Sequence, residues 1–152
     1  MPRRPPVALA LLALLGAVSC SAKPTTSVAD VPVPAVTGVS GKTLLACRRL
    51  KLDLPKQIAR AVSQRRTTPV SDTTAAWGTP PITLRCGVPA GSDLDDPYVF
   101  NDVRWALHDS GGSRQWTTLG RTVNVVVEVP DAYSSQAELI GGLAAAVKAD
   151  LG

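Results

Sequence analysis

Histidine occurs once in this chain of 152 residues and cysteine three times. A histidine-ligated metal centre therefore lacks its ligands. His108 is followed by Asp109 and Ser110, but neighbouring side chains on a strand point to opposite faces, so the three do not converge as a triad. No Gly-x-Ser-x-Gly elbow occurs either, which excludes that kind of serine nucleophile. Aromatic residues are only 4%, and the formal net charge is +4. Arg3 and Arg4 supply part of that charge; without them fourteen cations face twelve acids. Such a balance, with no basic stripe interleaved with aromatics, argues against nucleic acid as a partner. The apolar run Val7 to Val18 falls short of the roughly 20 residues that a helix needs to cross a bilayer. Carboxylates remain as the only metal ligands, and Asp93, Asp95 and Asp96 are their one cluster. Asp-Leu-Asp-Asp lacks the Gly-centred turn and closing Glu of a calcium loop, so neither metal nor cofactor is expected.

Residues 1–20 carry the parts of an export signal. A positive start at Arg3-Arg4 precedes the apolar run, and Ala17-Val18-Ser19-Cys20 closes it with small residues. That box resembles the one in which bacterial lipoproteins receive a diacylglyceryl group on the cysteine thiol, departing from it at Ala17, where Leu is usual. Lipidation of Cys20 and attachment to the outer face of the cytoplasmic membrane are the expectation; conventional cleavage beside Ser19, giving a secreted protein, is the alternative. Residues 21–40 are rich in Pro, Ser and Thr without a period of 2 or 3.6, and read as a tether.

Residues 41–152 hold one domain. Ser40 is a candidate N-cap for a short helix carrying Leu44, Leu45 and Cys47. Asp53-Leu54-Pro55 reads as the start of a second helix with Leu54, Ile58, Ala61 and Val62 as its stripe. Pro69 demotes Arg65 to Val70 to an edge strand. The Trp77 to Gly87 stretch is a turn at Gly78-Thr79-Pro80-Pro81 followed by a strand, Ile82 to Cys86. From Val99 the period becomes 2, with Val99, Val103, Trp105 and Leu107 on one face. Asp109 to Ser113 turns the chain into a strand at Arg114 to Leu119, and Thr122 to Val129 follows, with Val123, Val125, Val127 and Val129 alternating. Ser135 and Glu138 have capping-box spacing before a closing helix with Leu139, Ile140, Leu143, Ala144, Val147 and Leu151 inward. The fold class is α+β: an antiparallel meander, with helices from both ends packed on one face and one disulfide.

With Cys20 assigned to the signal, Cys47 and Cys86 are the pair left in an exported domain, where disulfides persist, and a structural bond between them is expected. Eight cations lie between Lys42 and Arg66 against one acid, Asp53. Of these, Arg48, Arg49, Lys56 and Arg60 are the candidates for contact with an anionic membrane or wall polymer. Trp77 is the candidate aromatic anchor of a binding surface, with Trp105 and Trp116 as further ones.

Cys47, Leu54-Pro55, Arg65-Arg66-Thr67-Thr68-Pro69, the run Trp77-Gly78-Thr79-Pro80-Pro81-Ile82-Thr83-Leu84-Arg85-Cys86-Gly87, Val103-Arg104-Trp105 and Leu119-Gly120-Arg121 together resemble a family of exported actinobacterial proteins catalogued as a domain of unknown function. The resemblance implies an envelope lipoprotein with a cysteine pair at these places, and no activity. Two functions follow as expectations. One is a non-catalytic binding or accessory module that meets an envelope protein or wall polymer. The other is a small hydrolase of wall glycans using two carboxylates from Asp93 to Asp102, where a separation of about 5 to 10 Å suffices.

Overall fold

The computed structural model describes Met1 and residues 28–91 and 96–152. Cys20 and the signal lie outside the described residues, as do Asp93 and Asp95. In chain order the elements are β1 (Val31–Pro32), α1 (Gly41–Asp53), β2 (Gln57–Ile58), a 3-10 turn at Ala59–Ala61, β3 (Val62–Arg65), β4 (Thr67–Thr68), β5 (Thr74–Trp77), β6 (Ile82–Val88), β7 (Tyr98–Phe100), β8 (Val103–Asp109), β9 (Ser113–Leu119), β10 (Asn124–Pro130) and α2 (Gln136–Leu151). Eight strands form one antiparallel sheet in the order β2-β3-β5-β6-β10-β9-β8-β7. The α+β class, the meander through β8, β9 and β10, and the two helices on one face are as the sequence predicts.

β10 lies at the centre because its alternation suits burial. Val123, Val125, Val127 and Val129 all face the helices, and Val125 pairs with Cys86 while Val127 pairs with Leu84. α2 lays Leu139, Ile140, Leu143, Ala144, Val147 and Leu151 into the same core. α1 adds Cys47 and Leu50, and Cys47 is bonded to Cys86 with Cα atoms 5.6 Å apart. That bond joins the helical layer to the sheet next to the central strand.

Four expectations are corrected. The second helix does not form. Leu54 ends α1 with ψ 133°, since the ring of Pro55 clashes with an α-conformation in the residue before it, and the β-branched Ile58 and Val62 then enter β2 and β3. Leu54 and Ile58 are buried as foreseen, whereas Ala61 is exposed. The strand expected from Val99 is a hairpin. Asn101 (φ 48°) and Asp102 (φ 60°) form a two-residue turn, a backbone that Asn and Asp tolerate, and this leaves Val99 exposed on the edge strand β7. The capping box is absent: Ser135 has φ −97° and ψ 54°, outside the extended region that aims an N-cap side chain at the first turn, and only its carbonyl accepts from Glu138 N, at 3.2 Å. Ser40 does occupy the N-cap of α1, again without a side-chain hydrogen bond.

The fourth concerns the tether. From Val31 the chain is already part of the fold. β1 pairs in parallel with β4, Val31 N donates to Arg66 O and Val33 N to Thr68 O. Val31 and Val33 pack on Ala76 in a small second core. Thr67–Thr68, expected at a sheet edge, instead receives this strap.

Asp150 near the end of α2 faces α1. Its carboxyl is raised above the ordinary carboxylate range, first by burial and then by the charge of the Asp53 carboxyl, with Arg49 opposing. For an acid with a raised folded pKa, the stabilising contribution is present below the unfolded value and lost as pH climbs through the folded one. Asp150→Asn should therefore raise the melting temperature at neutral pH, and the gain should vanish in acid; a gain that persists in acid would contradict this origin.

Candidate functional site

The Trp77 turn builds a cleft of about 600 Å³. Trp77 ends β5 with its indole inside the core, donating to Pro55 O at 2.9 Å. Gly78 follows at φ +70°, and a Cβ there would sit 2.2 Å from the Tyr133 hydroxyl and 2.7 Å from Val62 Cγ1, so only glycine fits. Tyr133 reaches over from the loop after β10 and donates to Pro80 O at 2.8 Å. Arg65, at the end of β3, donates from Nη1 to Gly78 O (2.9 Å) and Thr79 Oγ1 (3.0 Å) and from Nη2 to Ala29 O. Its Nε is buried without a partner among the described residues. The cleft is walled by Val28, Val62 and Tyr133, with Arg65 and Arg66 on its rim.

Its chemistry is that of contact. Among the described residues no carboxylate, histidine or thiol lines it, and Tyr133, whose hydroxyl is bonded to Pro80 O, is its one phenol. Arg65 directs two donors to backbone carbonyls and a third to the Thr79 hydroxyl, which makes it a strut of the turn as much as a ligand group.

The structure rearranges the sequence-predicted site residues. Trp77 is no surface anchor: it is wholly buried, as is Trp105, and Trp116 is nearly so, with its indole donating to Gln136 Oε1 at 3.1 Å. A tryptophan before a tight turn reads equally well as exposed or buried from sequence, and here the apolar ring fills the space between the sheet and the chain after α1. Arg48, Arg49, Lys56 and Arg60 do not form one face. Arg48 pairs with Asp72 at 2.7 Å and shares a groove of about 360 Å³ with Lys51, Lys56, Arg65 and Arg66. Arg49 instead faces Asp150, and Arg60 lies beside Tyr133 and Glu138. Lys51 and Arg66 complete the basic groove and were not singled out, although the pairing of α1 with the strands after Pro55 makes them its neighbours.

The carboxylates described between Asp93 and Asp102 are Asp96 and Asp102. Asp102 sits on the β7–β8 turn, 2.6 Å from Lys148, whose hydrogen bond and charge hold it below the ordinary carboxylate range. An acid kept ionised in this way is a poor proton donor. His108 and Asp109 are exposed at the far end of β8, where Asp109 accepts from Gly111 N and the Ser110 hydroxyl is bonded to Ser113. That trio shapes a hairpin. Among the described residues no group of three metal-ligating side chains occurs, and no helix is long and apolar enough to cross a membrane.

No curated protein and no solved structure matches this chain. Over residues 5–152 it matches the model of a family described as "Protein of unknown function (DUF3515)", and on that match it belongs to that family.

Proposed function

We propose that this chain is a non-catalytic binding or accessory module of the cell envelope, tethered through Cys20 to the outer face of the cytoplasmic membrane. The observation that carries the binding part is the Tyr133 cleft. It is large enough for a side-chain cluster or a small ligand, combines Val28, Val62 and Tyr133 with two arginines, and is lined by no carboxylate or histidine among the described residues. The tether rests on residues 1–20: a basic start, a short apolar run and Cys20 in a small-residue box. Attachment of the chain from Val31 fits this role, because the domain is then held close to its anchor.

Two outcomes test the reading. Cys20→Ala should move the chain from the detergent phase to the aqueous phase and abolish incorporation of labelled lipid; a variant that still carries lipid sinks the anchor. Purified chain incubated with wall glycan should release no reducing ends. Release that Asp96→Asn or Asp102→Asn abolishes would replace the binding reading with the hydrolase.

A further inference from the structure

We infer that the basic groove between α1 and β3–β4 docks the domain onto the anionic surface of the membrane that its N-terminal segment enters. This rests on the membrane tether proposed above and adds the face that meets the lipid. Five cations line the groove, Arg48, Lys51, Lys56, Arg65 and Arg66; Asp72, which also lines it, pairs with Arg48, and Asp30 beside it pairs with Arg66, which leaves a net positive surface. Two large apolar side chains line the same groove: Leu52 is 75% exposed and Val70 87% exposed. Leu45, 56% exposed, lies two turns before Leu52 on the same face of α1, about 10 Å along the axis.

Apolar side chains standing out among cations are costly in water and suited to a headgroup layer. The leucines and Val70 enter the acyl boundary while lysine and arginine meet phosphates. An acidic partner protein would satisfy the cations but gives no reason for isolated, fully standing aliphatic tips.

The position of the N-terminal segment selects the membrane as occupant. The chain enters the described domain at Val28 to Val31, where Ala29 O accepts from Arg65 and Asp30 pairs with Arg66 at 3.4 Å. Both arginines also line the groove. A segment anchored in the bilayer therefore joins the domain beside this basic groove, which keeps the groove within reach of the lipid.

The test uses the full chain carrying Leu52→Trp, added to vesicles of phosphatidylcholine with brominated acyl chains, with or without brominated phosphatidylglycerol. The native tryptophans are buried and supply a constant background, and the N-terminal segment binds both vesicle types, so a difference between them reports the groove. Strong quenching of the introduced tryptophan is expected only with phosphatidylglycerol. It should fade as salt shortens the screening length from about 10 Å to about 3 Å. Lys56→Gln and Arg66→Gln should each lower the ratio of docked to undocked chains about fivefold. Val70→Trp is the second reporter should the first variant misfold, as near-ultraviolet circular dichroism would reveal.

Equal quenching on both vesicle types, or none on either, overturns the docking. So does tight binding of a soluble anionic wall polymer without quenching on vesicles. Cell fractionation reports the anchor separately: a chain found only in the soluble fraction fails the tether, while quenching on added vesicles still decides the groove.

Discussion

Cys47→Ala combined with Cys86→Ala should destabilise the domain by roughly 2 to 4 kcal/mol. The bond closes a sequence separation of 39 residues, for which chain entropy alone gives about 4 kcal/mol as an upper figure. α1 depends on it. The helix has 13 residues, no side-chain hydrogen bond at its N-cap and only Cys47 and Leu50 buried, so little of its stability is intrinsic. Gly87 adds to the local fit: a Cβ there would lie 2.7 Å from Val39 Cγ2, so the segment leading into α1 crosses the end of β6 at close range. Denaturant titration checks the prediction. A midpoint that falls while the slope rises, because the denatured chain without its cross-link exposes more surface, is the expected outcome, and an unchanged midpoint would mean that packing alone holds α1 in place.

The other large effect belongs to Trp77. Trp77→Ala should cost about 3 to 5 kcal/mol, against the 5 to 15 kcal/mol typical of a whole domain. Its ring is fully buried among α1-side and sheet residues, and its indole N–H satisfies Pro55 O, the carbonyl at which the chain leaves the helix for the sheet. Removing the ring opens a cavity and leaves that carbonyl without its donor. Trp77→Phe keeps most of the volume and should cost far less, with the lost hydrogen bond near 1 kcal/mol. A loss below about 1 kcal/mol for the alanine variant, measured by equilibrium unfolding, would contradict the place given to Trp77 in the core.

Those two residues also mark how much of the fold the sequence discloses. Period-2 valines in β10, the Gly-rich turn before β9 and the apolar stripe of α2 are strong local signals, and each element forms where they place it. Two cysteines left over once Cys20 is set aside are enough to pair Cys47 with Cys86, and the structure bonds them. The failures come where tertiary partners decide. Leu54 to Val62 has helical spacing, but Pro55 and the β-branched residues let the sheet claim it. Asn101-Asp102 was a hairpin signal hidden inside an alternating run, because Val99 and Val103 have the same parity on either side of the turn. Val31 and Val33 belong to a stretch whose composition is that of a linker, and only the strand at Thr67–Thr68 gives them a place. The site was less legible than the fold. Charge alone identified a cationic region without saying which of Arg48, Arg49, Lys56 and Arg60 share a surface, since that depends on how α1 is turned against the strands.

One corner, made by the Cys47–Cys86 bond and the Trp77 turn, fixes the N-terminal helix to a sheet whose central strands pack on α2. Hydrogen exchange of the intact chain before and after reduction tests it most directly. Amides of Gly41–Asp53 should lose nearly all protection on reduction, while those of β6, β9 and β10 should fall only by the loss in global stability and stay well protected, because the central strands pair with one another and pack on α2. Protection in Gly41–Asp53 that survives reduction unchanged, or is lost together with the central strands, would contradict it.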